Sequence, residues 1–514
     1  MYKLVATFFA IILLSACVKK EDFDPDRFAK TSWNPQIGFP LVHSVMGVQD
    51  LMGNTDSNAV TTEPSGLVVL RYDGGAKELS AEDFIQFPGN VFLNSVSGVP
   101  VIPRSYDIPV PFKFPGDTDM VFTKLVIESG NMQLGFNSGH QAEATFKFPT
   151  LTSASGTKLT TKVPMHIDEA IVDISGYTLE LNSSGEFMVN VEIPTGVSGG
   201  SASLTVQLKD IVYKRIEGDL KNRRVQLPPD SVRLHVFKNL VGQGELFVVD
   251  PRIRMEIENG FGVPLALDLS DMEAYYSVTN STAKVVKPGQ SVFNIIQGSA
   301  QSPGASTVEL NKSNSNLSSV LQPTPVYFRH TINAESNPGS TGTNANVLER
   351  EAKLTARTIL ELPLNGRIKG LRLMDTIPFA INESFDYIKD LAINTAIKNG
   401  FPFTIKLSLR LLDSNYRQVE TEAGNPVFLM KDREIATSGT VVSSTGKIDQ
   451  SNLATVVNVY QLGVAETDAV LGGRFVRIEG ELETFNGGAS NVAIYDNYIF
   501  DLKVGTKITG NINF

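Results

Sequence analysis

In Arg252-Ile253-Arg254-Met255-Glu256-Ile257-Glu258 every second residue is apolar and the others are charged. Extended chain sends successive side chains to opposite faces, so such a segment lies with one face in a core and the other in water. Phe403-Thr404-Ile405-Lys406-Leu407-Ser408-Leu409-Arg410-Leu411 and Val476-Arg477-Ile478-Glu479-Gly480-Glu481-Leu482-Glu483 show a similar alternation. Half-wet strands belong to antiparallel sheets, not to the doubly covered parallel sheets of nucleotide-binding α/β folds. The expected fold class is all-β: tandem antiparallel β-sandwich-like units with a few short helices. Helical patterns are confined to Ser80 to Phe87, with Ser80 as cap and Asp83 in the first turn, Ser313 to Leu321, and Ser384 to Leu391.

Weak repeats overlie this pattern. Ile257-Glu258-Asn259-Gly260-Phe261-Gly262-Val263-Pro264-Leu265 parallels Ile397-Lys398-Asn399-Gly400-Phe401-Pro402-Phe403-Thr404-Ile405, a strand, an Asn-Gly-Phe turn and a second strand. Ala144-Thr145-Phe146-Lys147-Phe148-Pro149-Thr150 is echoed by Val189-Asn190-Val191-Glu192-Ile193-Pro194-Thr195. Recurrence of this kind points to duplicated β-units. The segment Val249-Asp250-Pro251-Arg252, leading through a strand to Asn259 and Pro264, resembles the β-sandwich of the late-embryogenesis-abundant and water-stress family, and also tubular lipid-binding proteins. The second likeness implies curved sheets with an apolar groove.

With 514 residues, 42% of them hydrophobic, the chain can fill several cores. The expected division is 1–16, 17–32, 33–110, 111–225, 226–365 and 366–514: a signal, an acidic tether, an N-terminal β-rich region, and three β-sandwich-like units. Ser336 to Asn346, rich in Ser, Gly, Asn and Thr, reads as a mobile surface loop.

The N-terminus reads as an address and an anchor. Lys3 precedes the apolar run Leu4 to Leu14, too short to span a membrane comfortably and suited to a secretory signal. Leu14-Ser15-Ala16-Cys17 resembles a bacterial lipobox, a resemblance that implies signal-peptidase recognition of Leu14, Ser15 and Ala16 and lipidation of Cys17. Two or three acyl chains anchor durably because each buried methylene contributes about 0.8 kcal/mol. The tether residues Lys20, Glu21 and Asp22 resemble the surface-export signal of Bacteroidota lipoproteins, which implies a lipid-anchored outer-membrane location, surface-exposed or else facing the periplasm. Asp230-Ser231-Val232 and Asp375-Thr376-Ile377 resemble the O-glycosylation sequons of the same bacteria, with Ser231 and Thr376 as acceptors.

The net charge of −10 and the absence of a long basic run argue against nucleic acid as a partner. Cys17 is the only cysteine, so no intrachain disulfide, zinc ribbon or Cys-His pair can form. None of His43, His140, His166, His235 and His330 lies within four residues of another, so no local metal motif exists. Gly196-Val197-Ser198-Gly199-Gly200 matches G-x-S-x-G, but the adjoining segment Ser201 to Leu208 reads as a strand where a nucleophile elbow needs a helix. No catalytic residue, metal or cofactor is therefore named. The reading is a non-enzymatic binding or scaffold lipoprotein of the cell envelope, with a protein or glycan as ligand and the membrane as lipid-mediated partner. A lipid carrier and a surface glycan hydrolase with dispersed carboxylates are the alternatives.

Overall fold

The computed structural model describes residues 32–33, 35–50, 59–112, 119–234, 244–289, 291–322, 324–379, 388–442, 447–470, 472–510 and 512–513. Within them the chain is all-β, with antiparallel sheets and helices at Ala81–Phe84, Leu317–Leu321 and Val464–Val470. It divides into two compact units: Asn58–Lys238 with Leu246–Asn365, and Met1–Ser57 with Asn239–Glu245 and Gly366–Phe514.

The strand order resolves these units into three eight-stranded sandwiches of one topology. In the innermost the strands are Val91–Pro100, Ser105–Pro111, Val121–Asn137, Glu143–Thr152, Lys158–Pro164, His166–Asp173, Glu186–Glu192 and Ser201–Asp219. Counted in that order they pair as 1-8-3-6 in one sheet and 2-7-4-5 in the other. An extra strand, Thr178–Glu180, pairs with both Val121–Asn137 and Glu143–Thr152 and so stitches the two sheets along one edge. This is the order of a jelly roll, in which two Greek keys wrap a shared core.

The middle sandwich repeats it. Its strands are Val68–Ser80, a second strand split as Arg224–Gln226 and Asp230–Arg233, Arg252–Asn259, Leu265–Tyr276, a fifth split as Ser281–Lys284 and Val292–Ile295, Gly304–Leu310, Tyr327–Ser336 and Lys353–Pro363. They again pair 1-8-3-6 and 2-7-4-5. The outer sandwich uses Gln36–Met46, Leu371–Pro378, Ile388–Asn399, Phe403–Leu412, Phe428–Ala436, Thr455–Leu462, Phe475–Thr484 and Phe500–Gly510, in the same two sheets. Both the middle and outer rolls carry a short helix between strands six and seven. In the chain the rolls are nested: the innermost is inserted after the first strand of the middle one, and both are inserted after the first strand of the outer one.

The Asn-Gly-Phe repeat joins strands three and four in both outer copies. The Phe261 N–H donates to Asn259 Oδ1 at 3.0 Å, and Asn259 Nδ2 donates to the Val263 carbonyl at 3.1 Å. At the other copy the Phe401 N–H donates to Asn399 Oδ1 at 2.9 Å, and Asn399 Nδ2 to the Phe403 carbonyl at 2.7 Å. Both Asn side chains are buried, so their amides satisfy turn groups that water cannot reach. The glycine after each Asn is required by close approach: a Cβ on Gly260 would lie 2.8 Å from the Lys353 carbonyl oxygen, and one on Gly400 2.7 Å from that of Ile499. The 144–150 and 189–195 segments pair with one another as strands four and seven of the innermost roll.

The helix expected at Ser80 is present, with Ser80 and Asp83 forming a capping box. Of the span 384–391, residues 384–387 lie outside the described residues and 388–391 open the strand Ile388–Asn399, whose pairing on both sides outweighs local helix preference. The helix Val464–Val470 was not expected.

The loop 336–346 is pinned at both ends, contrary to its composition. Ser336, Asn337 and Asn346 are buried. Asn337 Nδ2 also donates to the Lys221 carbonyl at 2.7 Å, and Asn346 Oδ1 accepts from the Leu220 N–H at 3.0 Å. The innermost roll meets the middle one here, where Asn346–Glu349 pairs with Arg215–Gly218. Arg350, just beyond, bridges Glu82 at 2.7 Å and Glu128 at 3.2 Å.

Candidate functional site

On strands four and seven of the outer roll, inward residues such as Leu409, Leu411, Val476 and Ile478 pack into its core. The residues between them, Lys406, Ser408 and Arg410 on one strand and Arg477, Glu479, Glu481 and Glu483 on the other, therefore stand on the opposite face. Cross-strand register places Lys406 and Arg372 against Glu481, and Ser408 and Met374 against Glu479. A cleft of about 330 Å³ opens there, lined by Arg372, Leu373, Met374, Lys406, Leu407, Ser408, Asp432, Glu479, Gly480 and Glu481.

Its charges are paired but remain partly wet. Arg372 Nε donates to Glu481 Oε2 at 2.9 Å, and Lys406 Nζ lies 3.9 Å from Glu481 and 3.6 Å from Glu483. Arg410 Nε is 3.7 Å from Glu479, and its guanidinium sits 5.1 Å from the Phe428 ring centroid. Pairs this exposed stabilise the fold by about 0–1 kcal/mol each, so they can exchange partners at little cost. Asp432 is set by a bulge: the register between strands four and five shifts from Leu407 to Leu409, and Asp432 takes φ of 45°. Ser408 Oγ donates to Asp432 Oδ1 at 2.9 Å and accepts from the Asp432 N–H at 2.9 Å. This left-handed backbone at a residue other than glycine carries a cost that the Ser408 bonds offset. The cleft offers carboxylate acceptors and guanidinium and ammonium donors at close spacing, a set that fits a hydroxyl-rich ligand. Its lining includes no histidine to serve as a base for Ser408.

A second polar group is enclosed inside the middle roll. Asp230 Oδ1 accepts from the Ser231 N–H at 2.8 Å and lies 3.2 Å from Lys77 Nζ, while Oδ2 is buried with no hydrogen-bond partner. Asp230 pairs across the sheet with His330, whose Nε2 is 2.9 Å from Thr358 Oγ1. Burial pushes the His330 imidazole below its ordinary value; Asp230 opposes that shift and Lys77 adds to it. The order Thr-His-Asp is superficially triad-like, but it is walled in by Gly74, where a Cβ would lie 2.6 Å from Asp230 Oδ2. We read it as a core network.

Leu14, Ser15, Ala16, Cys17, Lys20, Glu21, Asp22 and His235 lie outside the described residues. Ser231 is exposed and Thr376 half-buried, both within strands, where their N–H groups donate to Asp230 and Asp375. His43 sits 3.1 Å from Asp501, His140 contacts Ser138, and His166 begins a strand. Among the described residues no three His, Cys, Asp or Glu side chains are grouped to hold a metal, and no helix is long and apolar enough to cross a membrane. Ser198 precedes the strand Ser201–Asp219, so the G-x-S-x-G string forms no elbow. Arg372, Lys406, Asp432, Glu479 and Glu481 were not singled out from sequence. Each is an ordinary outward residue until the register brings them together.

No family model and no curated protein matches the chain. Among solved structures it is similar to a Parabacteroides distasonis protein described as secreted, at 12% identity over 57% of this chain and 88% of that one, with a TM-score of 0.30. It is also similar to the VP2 subviral particle of infectious bursal disease virus, at 9% identity over 78% and 74% of the two chains with a TM-score of 0.14. A Sputnik virophage structure matches at 7% identity, 57% and 86% coverage and a TM-score of 0.12. Similarities this low carry no argument, and the jelly-roll assignment rests on strand order alone.

Proposed function

We propose that this chain is a lipid-anchored cell-envelope binding protein, held at the outer membrane through Cys17, whose outer jelly roll receives a glycan in the cleft between Arg372, Asp432 and Glu481. The observation that carries the reading is the cleft itself. Acids and bases from four strands converge on one recess floored by the backbone at Gly480. Sugar hydroxyls both donate and accept, so a lining with carboxylates and cations side by side can satisfy them in pairs. The solitary Cys17 at the lipobox supports the anchor, and the sheets of the outer roll supply the frame on which the cleft is presented.

A glycan array probed with the Cys17→Ser chain, followed by calorimetry on the best ligand, tests the binding. Arg372→Ala and Glu479→Gln should each weaken the interaction about tenfold or more while leaving the circular dichroism unchanged. Turnover of that glycan, abolished by Asp432→Asn or Glu479→Gln, would replace the binding reading with a hydrolase. Unaltered affinity in every cleft variant would remove the site.

A further inference from the structure

The middle and outer rolls match residue for residue through the Asn turn and along strand four as far as Leu267 and Leu407, beyond which only the middle roll has a bulge against strand seven, between Asp268 and Asp271, and they differ inside. Asn259 corresponds to Asn399, so Met255 corresponds to Thr395 on strand three and Leu267 to Leu407 on strand four. Leu267 pairs with Ala334, and Leu407 with Gly480. The middle roll thus buries Met255 and Ala334, each 1% exposed, at the positions where the outer roll has Thr395 and Gly480.

The lost volume is not refilled. A Cβ at Gly480 would meet nothing within 4 Å, although its neighbours on that face are Ile478 and Leu482. Leu265, Leu267 and Ile332 are buried in the middle roll; their counterparts Ile405, Leu407 and Ile478 are only half-buried. Inward aliphatic side chains that remain half-wet mean that solvent reaches between the sheets. Thr395 is 7% exposed, and its Oγ1 has no hydrogen-bond partner. A buried hydroxyl without a partner costs about 1–3 kcal/mol, which an incoming polar group would offset.

We infer that the outer roll holds an apolar-chain site between its sheets at the level of Gly480, with Thr395 as the polar contact, and that its ligand is a single fatty acyl chain. Sheets stacked about 10 Å apart leave, where one layer of side chains is shortened, a slot about one chain thick. The walls are aliphatic and straight, from Leu373, Ile405, Leu407, Ile478 and Leu482, and the single hydroxyl suits a carboxyl or ester end. Leu373, Leu407 and Gly480 line the charged cleft as well, but the acyl chain is taken up on their inward side of the sheet and the glycan on the outward side, so this site does not depend on the glycan reading.

The test uses the Cys17→Ser chain in detergent-free buffer with cis-parinaric acid as the probe. Saturable fluorescence enhancement, displaced by palmitate, is expected for the parent. The double variant Thr395→Met/Gly480→Ala, which installs the middle roll's own residues, should bind the probe at least about tenfold more weakly while its thermal midpoint holds or rises. No saturable binding by the parent overturns the inference whatever the variant does. Unchanged probe affinity in a folded double variant overturns it as well. Arg372→Ala and Glu479→Gln, whose side chains stand on the outer face of the sheet, should leave probe affinity unchanged while they weaken glycan binding, so failure of either reading leaves the other standing.

Discussion

Asn337 and Asn346 hydrogen-bond each other reciprocally, Nδ2 of the first to Oδ1 of the second at 3.0 Å and the reverse at 2.8 Å. With both side chains buried, this pair closes a loop whose tip, between Gly339 and Asn344, stays exposed. Asn346→Ala removes one half of the pair and leaves the Leu220 N–H without its acceptor. We expect a loss of about 2–4 kcal/mol, read from urea unfolding, and faster proteolysis within 339–345.

His330 makes stability depend on pH in a predictable direction. Its folded-state value lies below the ordinary 6.5, chiefly through burial. The unfolded chain therefore takes up the proton first, and stability should fall as pH drops below about 6.5 until the folded value is passed. The His330→Gln variant should flatten that segment of the profile. A urea midpoint that is constant from pH 7.5 to 5 in the parent would contradict the assignment.

The turn amides should be costly to lose in both copies. Asn399→Ala strips acceptor and donor from the Phe401 N–H and the Phe403 and Thr437 carbonyls, and Asn259→Ala does the same at Phe261 and Val263. Each variant should lose about 2–4 kcal/mol, with hydrogen exchange rising first at the affected turn.

Asp432→Gly separates folding from binding in the cleft. Glycine accepts the left-handed backbone readily, so stability should stay within about 1 kcal/mol of the parent. The carboxylate is gone, and glycan affinity should fall about tenfold or more by calorimetry.

Cys17→Ser should release the protein from the membrane fraction into the soluble one and abolish incorporation of labelled palmitate. In cells with the native Cys17, protease shaving should cut at the 339–345 tip. Cleavage only after lysis would turn the protein toward the periplasm.

Much of the strand content was legible because alternation is a local signal. The segments 252–258, 403–411 and 476–483 are indeed strands, and the Asn259 and Asn399 turns mark equivalent corners of two copies. Nesting was not legible. Gln36–Met46 pairs with Phe500–Gly510, and no feature of either segment names a partner more than 450 residues away. The pinned loop misled because Asn was read by composition, while its amide here acts as a buried connector. The cleft escaped for a related reason: charge on the outer face of a strand is the ordinary state, and only the pairing of Arg372, Lys406 and Glu481 distinguishes it.

The nesting also dictates an order of construction. The first strand of the outer roll is made before either inner roll, yet its sheet neighbour Phe500–Gly510 is made only after both of them. The innermost roll, by contrast, is one continuous stretch and can close as soon as Asp219 has emerged. Assembly should therefore proceed from the inside outward, with Gln36–Met46 held open as an unpaired edge until Phe500–Gly510 has been made. A chain truncated before residue 500 would keep two finished rolls and present that waiting edge to any chaperone or protease that meets it.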